Sequence, residues 1–382
     1  MKDFLKAIAI LIGTTIGAGM FGVPYVVAKI GFFPGLIYIF FLGCLVLLLN
    51  LIYGEVILRT PGDHQLGGYV QTYLGRKKSF IKWLSTISFF ISIYGALLAY
   101  LIKIGEFLAL IFGAGSPVFY SILFFALGSL IVSRGLKAVS SFGFLFVVLL
   151  SILILGILLP GLSKVEITNL SYANLSYFFL PYGVILFALT GSSVIPEMEE
   201  VLRKKTGKFK KAIIIGAIIP PLVYSLFALF VVGTCGALTS DDAITCLLPF
   251  FPGSVVKFGA FLGVLAMGSS FFTLGYVLRE VWFRDFKASK RWSLFLACAP
   301  SFLLFLFGAR EFIEVLEFSG AVSGGLTGIL ILTMFQKAKT MGKRKPAFSL
   351  RVPKFLIIIL YAVFFLGMFS PFFDKLINLL RL

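Results

Sequence analysis

Two short stretches place helix-breaking residues inside runs that are otherwise apolar. Gly13 to Pro24 reads Gly-Thr-Thr-Ile-Gly-Ala-Gly-Met-Phe-Gly-Val-Pro, and Phe187 to Glu197 reads Phe-Ala-Leu-Thr-Gly-Ser-Ser-Val-Ile-Pro-Glu. Glycine weakens a helix by about 1 kcal/mol and proline by about 3, so both stretches are expected to open. An opened turn leaves free N–H groups where a half-helix begins and free carbonyls where one ends. The first attract a carboxylate and the second an ammonium or metal cation. A zwitterionic amino acid carries both charges. The competing reading is close packing of small residues between helices. Recurrence at matching positions of two halves favours the chemical reading.

Other polar residues are few. Lys103 and Glu106 lie three apart on one helix face, and an ionisable residue at membrane depth is a functional suspect. A structural ion pair explains them equally well. Glu197, one turn past the second break, is a candidate proton carrier or a partner for a nearby Arg or Lys; Glu106 and Glu197 are the coupling candidates. Tyr94 and Tyr100 are read as core packing with a chance of facing the site. Gly17-Ala-Gly19-Met-Phe-Gly22 fits GxGxxG, but a dinucleotide fold needs a preceding strand and an acidic residue about 20 positions on. Phe40 to Leu42 stand there instead. His64 is the only histidine, so no histidine cluster or triad forms. Asp241-Asp242 lacks the second acidic motif of a membrane prenyltransferase, and Arg310 to Glu317 reads as a solvated face. Cys44, Cys235, Cys246 and Cys298 show no metal spacing; a Cys235–Cys246 disulfide is one reading, and two free thiols is the preferred one.

The elements that must hold these residues are membrane helices. Of 382 residues 59% are hydrophobic and 13% charged, against about 45–50% apolar and about 25% charged in soluble domains. The mean hydropathy is +1.05. A span needs about 20 mostly apolar residues. Eleven fit: Phe4–Ala28, Phe33–Leu58, Trp83–Phe112, Pro117–Ser133, Ser141–Leu159, Phe178–Leu202, Ala212–Cys235, Ser254–Phe283, Ser293–Gly308, Phe318–Phe335 and an additional helix within 354–371. The first is too long for a signal-peptide core and is read as retained.

With a cytoplasmic amino terminus, the outer segments hold only Lys29, Lys164, Arg310, Lys375 and Arg381. Lys103, Lys257 and Arg279 lie within spans, and every other Lys and Arg falls on the inner side. That asymmetry is the positive-inside rule, and it explains the net charge of +18 without nucleic acid as a partner. Residues 4–160 and 177–336 each hold five spans. An odd number makes two such halves run in opposite directions, the arithmetic of an inverted repeat. The expected fold is an all-α polytopic membrane protein, one transporter domain over 1–382 in the cell membrane.

These residues carry a resemblance. Gly13 to Pro24 resembles the first-helix signature of the amino acid/auxin permease family, in particular its hydroxy and aromatic amino acid branch. Gly183 to Glu197 is similar to that branch's sixth helix, Gly268 to Gly275 to its eighth, and Gly62 to Gly75 to an inner stretch. The resemblance implies a LeuT-like 5+5 inverted repeat plus one C-terminal helix, working as a monomeric, cation-coupled symporter without organic cofactor. It further implies that the amides of Ala18 and Gly19 take a substrate carboxylate, with Thr15 and Gly191 beside them. The carbonyls of Phe187, Ala188 and Thr190 would take the amino group, with the Phe187 ring as lid. The Gly13 and Ile16 carbonyls with the Ser269 and Ser270 hydroxyls would form a sodium site, oxygen ligands suiting a hard cation; the alternative is that both hydroxyls bond their own helix. Sodium and proton coupling both stay open. A membrane enzyme would need a cluster of His, Asp, Glu or Cys at membrane depth, and a channel a short span count. A sensor that binds an amino acid without moving it is the alternative function.

Overall fold

The computed structural model describes residues 2–75, 79–134, 162–284 and 286–379. Its helices are α1 (Lys2–Thr15), α2 (Gly19–Ile30), α3 (Phe32–Arg59), α4 (Leu66–Leu74), α5 (Ser79–Phe112) and α6 (Pro117–Arg134). After the undescribed residues come α7 (Leu180–Leu189), α8 (Ile195–Leu202), α9 (Phe209–Cys235), α10 (Gly253–Arg284), α11 (Lys290–Leu306), α12 (Phe312–Met341), α13 (Lys354–Gly367) and α14 (Ser370–Leu379). The expected fifth span, Ser141–Leu159, lies outside the described residues.

Among the described residues seven helices are long and apolar enough to cross a bilayer. Two further pairs, α1 with α2 and α13 with α14, qualify together but bend by 56° and 50°. The outward faces are apolar: Phe33, Ile37, Phe119, Phe258, Phe295, Phe355 and Ile358 are all exposed. Water would not tolerate such a surface, whereas hydrocarbon does, and helices suit it because each satisfies its own backbone. This is a multi-pass membrane protein.

Close helix approach follows from glycine. A Cβ on Gly183 would collide with the backbone of Glu317, and one on Gly320 with the Gly183 carbonyl, so α7 and α12 touch backbone to backbone as small-residue interfaces in membranes do. Gly31, at φ +104°, turns the chain from α2 into α3. There the 162–179 segment returns, with the Asn174 N–H donating to the Ile30 carbonyl at 2.8 Å.

At one end Glu55, fully buried on α3, accepts from Lys339 at 2.6 Å, Arg59 Nε at 2.8 Å, Ser349 at 3.1 Å and the Leu350 amide at 2.6 Å. The Lys343 and Arg344 amides cap the Arg59 carbonyl. The strand of chain between α12 and α13 is thereby tied to α3.

Two expectations are corrected. Cys235 and Cys246 are not free thiols but a disulfide, their Cα atoms 6.0 Å apart, within bridging reach; Cys44 and Cys298 stay free. Glu317 is not on a solvated face but 4% exposed, because the glycines of α7 and α12 draw its helix into the bundle. The disulfide closes a short loop, of separation 11. Cys246→Ser should therefore weaken the fold by about 3 kcal/mol, read as a lower thermal unfolding midpoint that reductant reproduces in the unaltered protein.

Candidate functional site

The first break lies between Thr15 and Gly19. Around it the Ile16 N–H reaches the Ile12 carbonyl at 2.8 Å, Met20 reaches Gly17 at 3.2 Å, and Phe21 reaches Ala18 at 3.0 Å. Among the described residues the amides of Gly17, Ala18 and Gly19 have no backbone acceptor, as expected of the first turn of a helix. The second break follows α7. Thr190 is extended (φ −71°, ψ 113°), Gly191 sits at φ −129°, ψ 14°, a 3₁₀ turn covers Ser192–Val194, and α8 starts at Ile195 with Pro196 in its first turn.

The two breaks face one another. A Cβ on Gly19 would lie 2.6 Å from the Ala188 Cα, and one on Gly191 would lie 2.6 Å from both Leu11 Cδ1 and Thr15 Oγ1. Between them stands Tyr224 of α9, fully buried. Its hydroxyl is 2.8 Å from the Thr15 carbonyl and 3.0 Å from the Ala188 carbonyl, so its one hydrogen is shared between the end of α1 and the end of α7. Nothing in the motifs pointed to Tyr224. The signal available was a phenol in the middle of an apolar span, just after Pro220-Pro221, where a buried hydroxyl has to find an acceptor.

The structure gathers Thr15, Gly19, Ala188 and Gly191 directly, with Ala18 and Thr190 adjoining them in the chain. The Thr190 amide bonds the Phe187 carbonyl at 3.3 Å, its hydroxyl donates to Leu186 at 2.6 Å, and Phe187 is half-buried with its Cβ where a Gly320 Cβ would stand. On the far side of Gly17, a Cβ would meet the Tyr100 hydroxyl at 3.4 Å, and Tyr100 in turn bonds Ser270. That chain links Gly17 of the first break to α10. Ser269 and Ser270 both donate back to the Ala266 carbonyl, at 2.8 and 3.2 Å, leaving their lone pairs for another partner. Tyr94 serves packing: its hydroxyl donates to Leu296 at 2.6 Å and accepts from Trp282.

The two coupling candidates lie elsewhere. Glu197 is exposed at the start of α8 and forms no ion pair among the described residues; its neighbour Glu199 is the buried one, 3.8 Å from Arg203. Glu106 belongs to a charged knot at one end of the bundle. There Lys103, with no exposed surface, meets Glu106 at 2.5 Å and Asp241 at 2.7 Å and lies 4.6 Å from the Phe312 ring centroid. Asp242 beside them accepts from Ser240 at 2.5 Å, from the Ile244 and Thr245 amides at 2.9 Å each, and from the Thr245 hydroxyl. The knot spans α5, the start of α12 and the disulfide-bridged loop after α9, and closes that end.

Burial alone would raise the Asp242 carboxyl. The Lys103 ammonium and the donors on Ser240 and Thr245 more than offset this and hold it below the usual carboxylate range. A depressed carboxylate stabilises the fold above its unfolded pKa of about 4, and that stability is lost as pH falls through the folded value. Asp242→Asn should loosen the loop at neutral pH by about 1–3 kcal/mol and flatten its response to acid, read as faster hydrogen exchange in residues 240–246.

Comparison with known proteins follows the geometry. The family described as tryptophan/tyrosine permease matches residues 1–370. A solved structure described as the crystal structure of MhsT in complex with L-phenylalanine superposes with a TM-score of 0.66 at 16% identity, covering 98% of each chain. No curated protein matches in sequence.

Proposed function

Since the chain belongs to the tryptophan/tyrosine permease family, we propose that it is a cation-coupled symporter that carries an aromatic or other hydrophobic amino acid through the facing breaks by alternating access. It is an amino acid permease and not an enzyme. We place it in the hydroxy and aromatic branch of the amino acid/auxin permeases on its first- and sixth-span motifs. The supporting observation is the Tyr224 hydroxyl joining the exposed carbonyl ends of α1 and α7. Two helices that both end in mid-bilayer, held tip to tip, present bare peptide dipoles to a solute without lipid contact.

In this reading the Ala18 and Gly19 amides take the carboxylate. The Phe187, Ala188 and Thr190 carbonyls take the amino group, with Thr15 and Gly191 shaping the floor and the Phe187 ring closing over the side chain. The cation sits among the Gly13 and Ile16 carbonyls and the Ser269 and Ser270 hydroxyls, whose hydrogens already point at Ala266. The chain is a monomer in the cell membrane with eleven spans and a cytoplasmic amino terminus, its repeats at 4–160 and 177–336 and an appended helix in 354–371. α11, at 17 residues, serves as the ninth span. The Lys103 knot then lies on the outer side, closed in this conformation, and the charge-rich Arg59 end on the inner side. Glu106 is a gate residue of that knot, and Glu197 is the remaining proton-carrier candidate.

Proteoliposomes separate the alternatives. Tryptophan, tyrosine and phenylalanine should accumulate against their gradients when sodium or a proton gradient is imposed alone, and Ser269→Ala with Ser270→Ala should remove sodium stimulation. Substrate binding with no accumulation under either gradient would identify a sensor instead.

A further inference from the structure

Asn50 interrupts the apolar run of α3, a 28-residue helix. It is 1% exposed, and its Oδ1 has no hydrogen-bond partner among the described residues. A buried amide oxygen left bare costs about 1–3 kcal/mol, so its occupant is worth identifying. Asn50 lines a small cavity with Thr190, Gly191, Ser192, Thr327 and the apolar Val46, Leu49, Leu186 and Gly324. These residues come from α3, α12 and the second break; none is from α1, α5 or α10. The cavity is thus separate from the Gly17–Tyr100–Ser270 side of the site.

The hydrogen-bond inventory around the cavity is one-sided. The Thr190 hydroxyl has given its hydrogen to the Leu186 carbonyl at 2.6 Å. Ser88 has given its own to the Ser323 carbonyl at 3.0 Å, so in the 3.0 Å contact between Ser88 and Thr327 the hydrogen comes from Thr327. A hydroxyl has one hydrogen and two lone pairs. What Thr190, Thr327 and Asn50 Oδ1 can still offer is therefore lone pairs only. α7 also ends here, and a helix carboxyl end carries partial negative charge. No carboxylate lines the space, which disfavours a divalent ion. Its size suits about one water-sized occupant.

We propose that the cavity between Asn50, Thr190 and Thr327 is a binding site for an alkali cation, distinct from the Ser269–Ser270 location. A cation there is coordinated by α3, the second break and α12 together, so it draws the unwound segment against both helices and stabilises the conformation in which they meet.

The test uses full-length protein in nanodiscs, without amino acid, so that it reads the cavity independently of transport. Thermal unfolding is followed by tryptophan fluorescence while sodium or potassium chloride replaces choline chloride at constant ionic strength. The unaltered protein should show a saturable rise in midpoint with one of the two cations. Asn50→Leu and Thr327→Val should raise the half-saturating concentration roughly tenfold or more. Asn50→Asp, which keeps the oxygen, should retain saturation, and the Ser269→Ala, Ser270→Ala double variant should keep a saturable rise. Helical circular dichroism checks each variant. If Asn50→Leu does not fold, the volume-conserving Thr327→Val decides. Absence of any saturable rise in the unaltered protein overturns the proposal. So does a rise that both cavity variants leave intact and the double serine variant removes.

Discussion

Gly19→Val should abolish amino acid uptake into proteoliposomes. The Cβ would stand 2.6 Å from the Ala188 Cα and 3.1 Å from its nitrogen, and backbone atoms, unlike the far end of a side chain, have nowhere to go. The half-helices α2 and α7 would have to part, with overpacking strain of about 1–3 kcal/mol and loss of the amide geometry that would meet a carboxylate. Glycine contacts grade the expectation. Gly191→Val meets Leu11 Cδ1 and Thr15 Oγ1 at 2.6 Å, side-chain atoms that can turn aside, so its loss should be severe but smaller. Gly17→Val, whose Cβ meets only the Tyr100 hydroxyl at 3.4 Å, should lose least of the three. Gly207→Ala, with open space around it, is the control and should transport normally. Equal uptake by Gly19→Val and the control would refute the tip-to-tip arrangement.

The second large effect is expected of Tyr224→Phe. It removes one oxygen from a fully buried ring and leaves the Thr15 and Ala188 carbonyls without their shared donor. Each orphaned carbonyl costs about 1–3 kcal/mol, which at 1.4 kcal/mol per decade corresponds to a roughly tenfold or greater fall in uptake. The ring keeps its packing, so the protein should insert and remain monodisperse. Wild-type initial rates in this variant would show that the carbonyl ends are held by something other than Tyr224.

Much of this site is legible in sequence because glycine and proline act locally. Gly17, Gly19 and Pro24 open the first span, and Thr190, Gly191 and Pro196 the second, whatever surrounds them. What was not legible depends on long-range approach. Tyr224 is one of 14 tyrosines, and its role arises only because α9 crosses both breaks. Glu317 belongs to a charged stretch with the period of a solvated face, and only the Gly183–Gly320 contact explains its burial. The Cys235–Cys246 bond required the loop after α9 to fold back around Asp242. Ser269 and Ser270 were read as either ligands or back-bonded hydroxyls; their hydrogens do go to Ala266, and the ligand role passes to their lone pairs.

The anchoring of Glu55 has a mechanical consequence. Lys339, Ser349 and the Leu350 amide fasten the α12–α13 connection to α3, so a tilt of α3 must be transmitted to the helix that begins at Lys354. A fluorophore attached near that helix would then track pore motion from the periphery, while Glu55→Gln would uncouple the reporter from the event it reports.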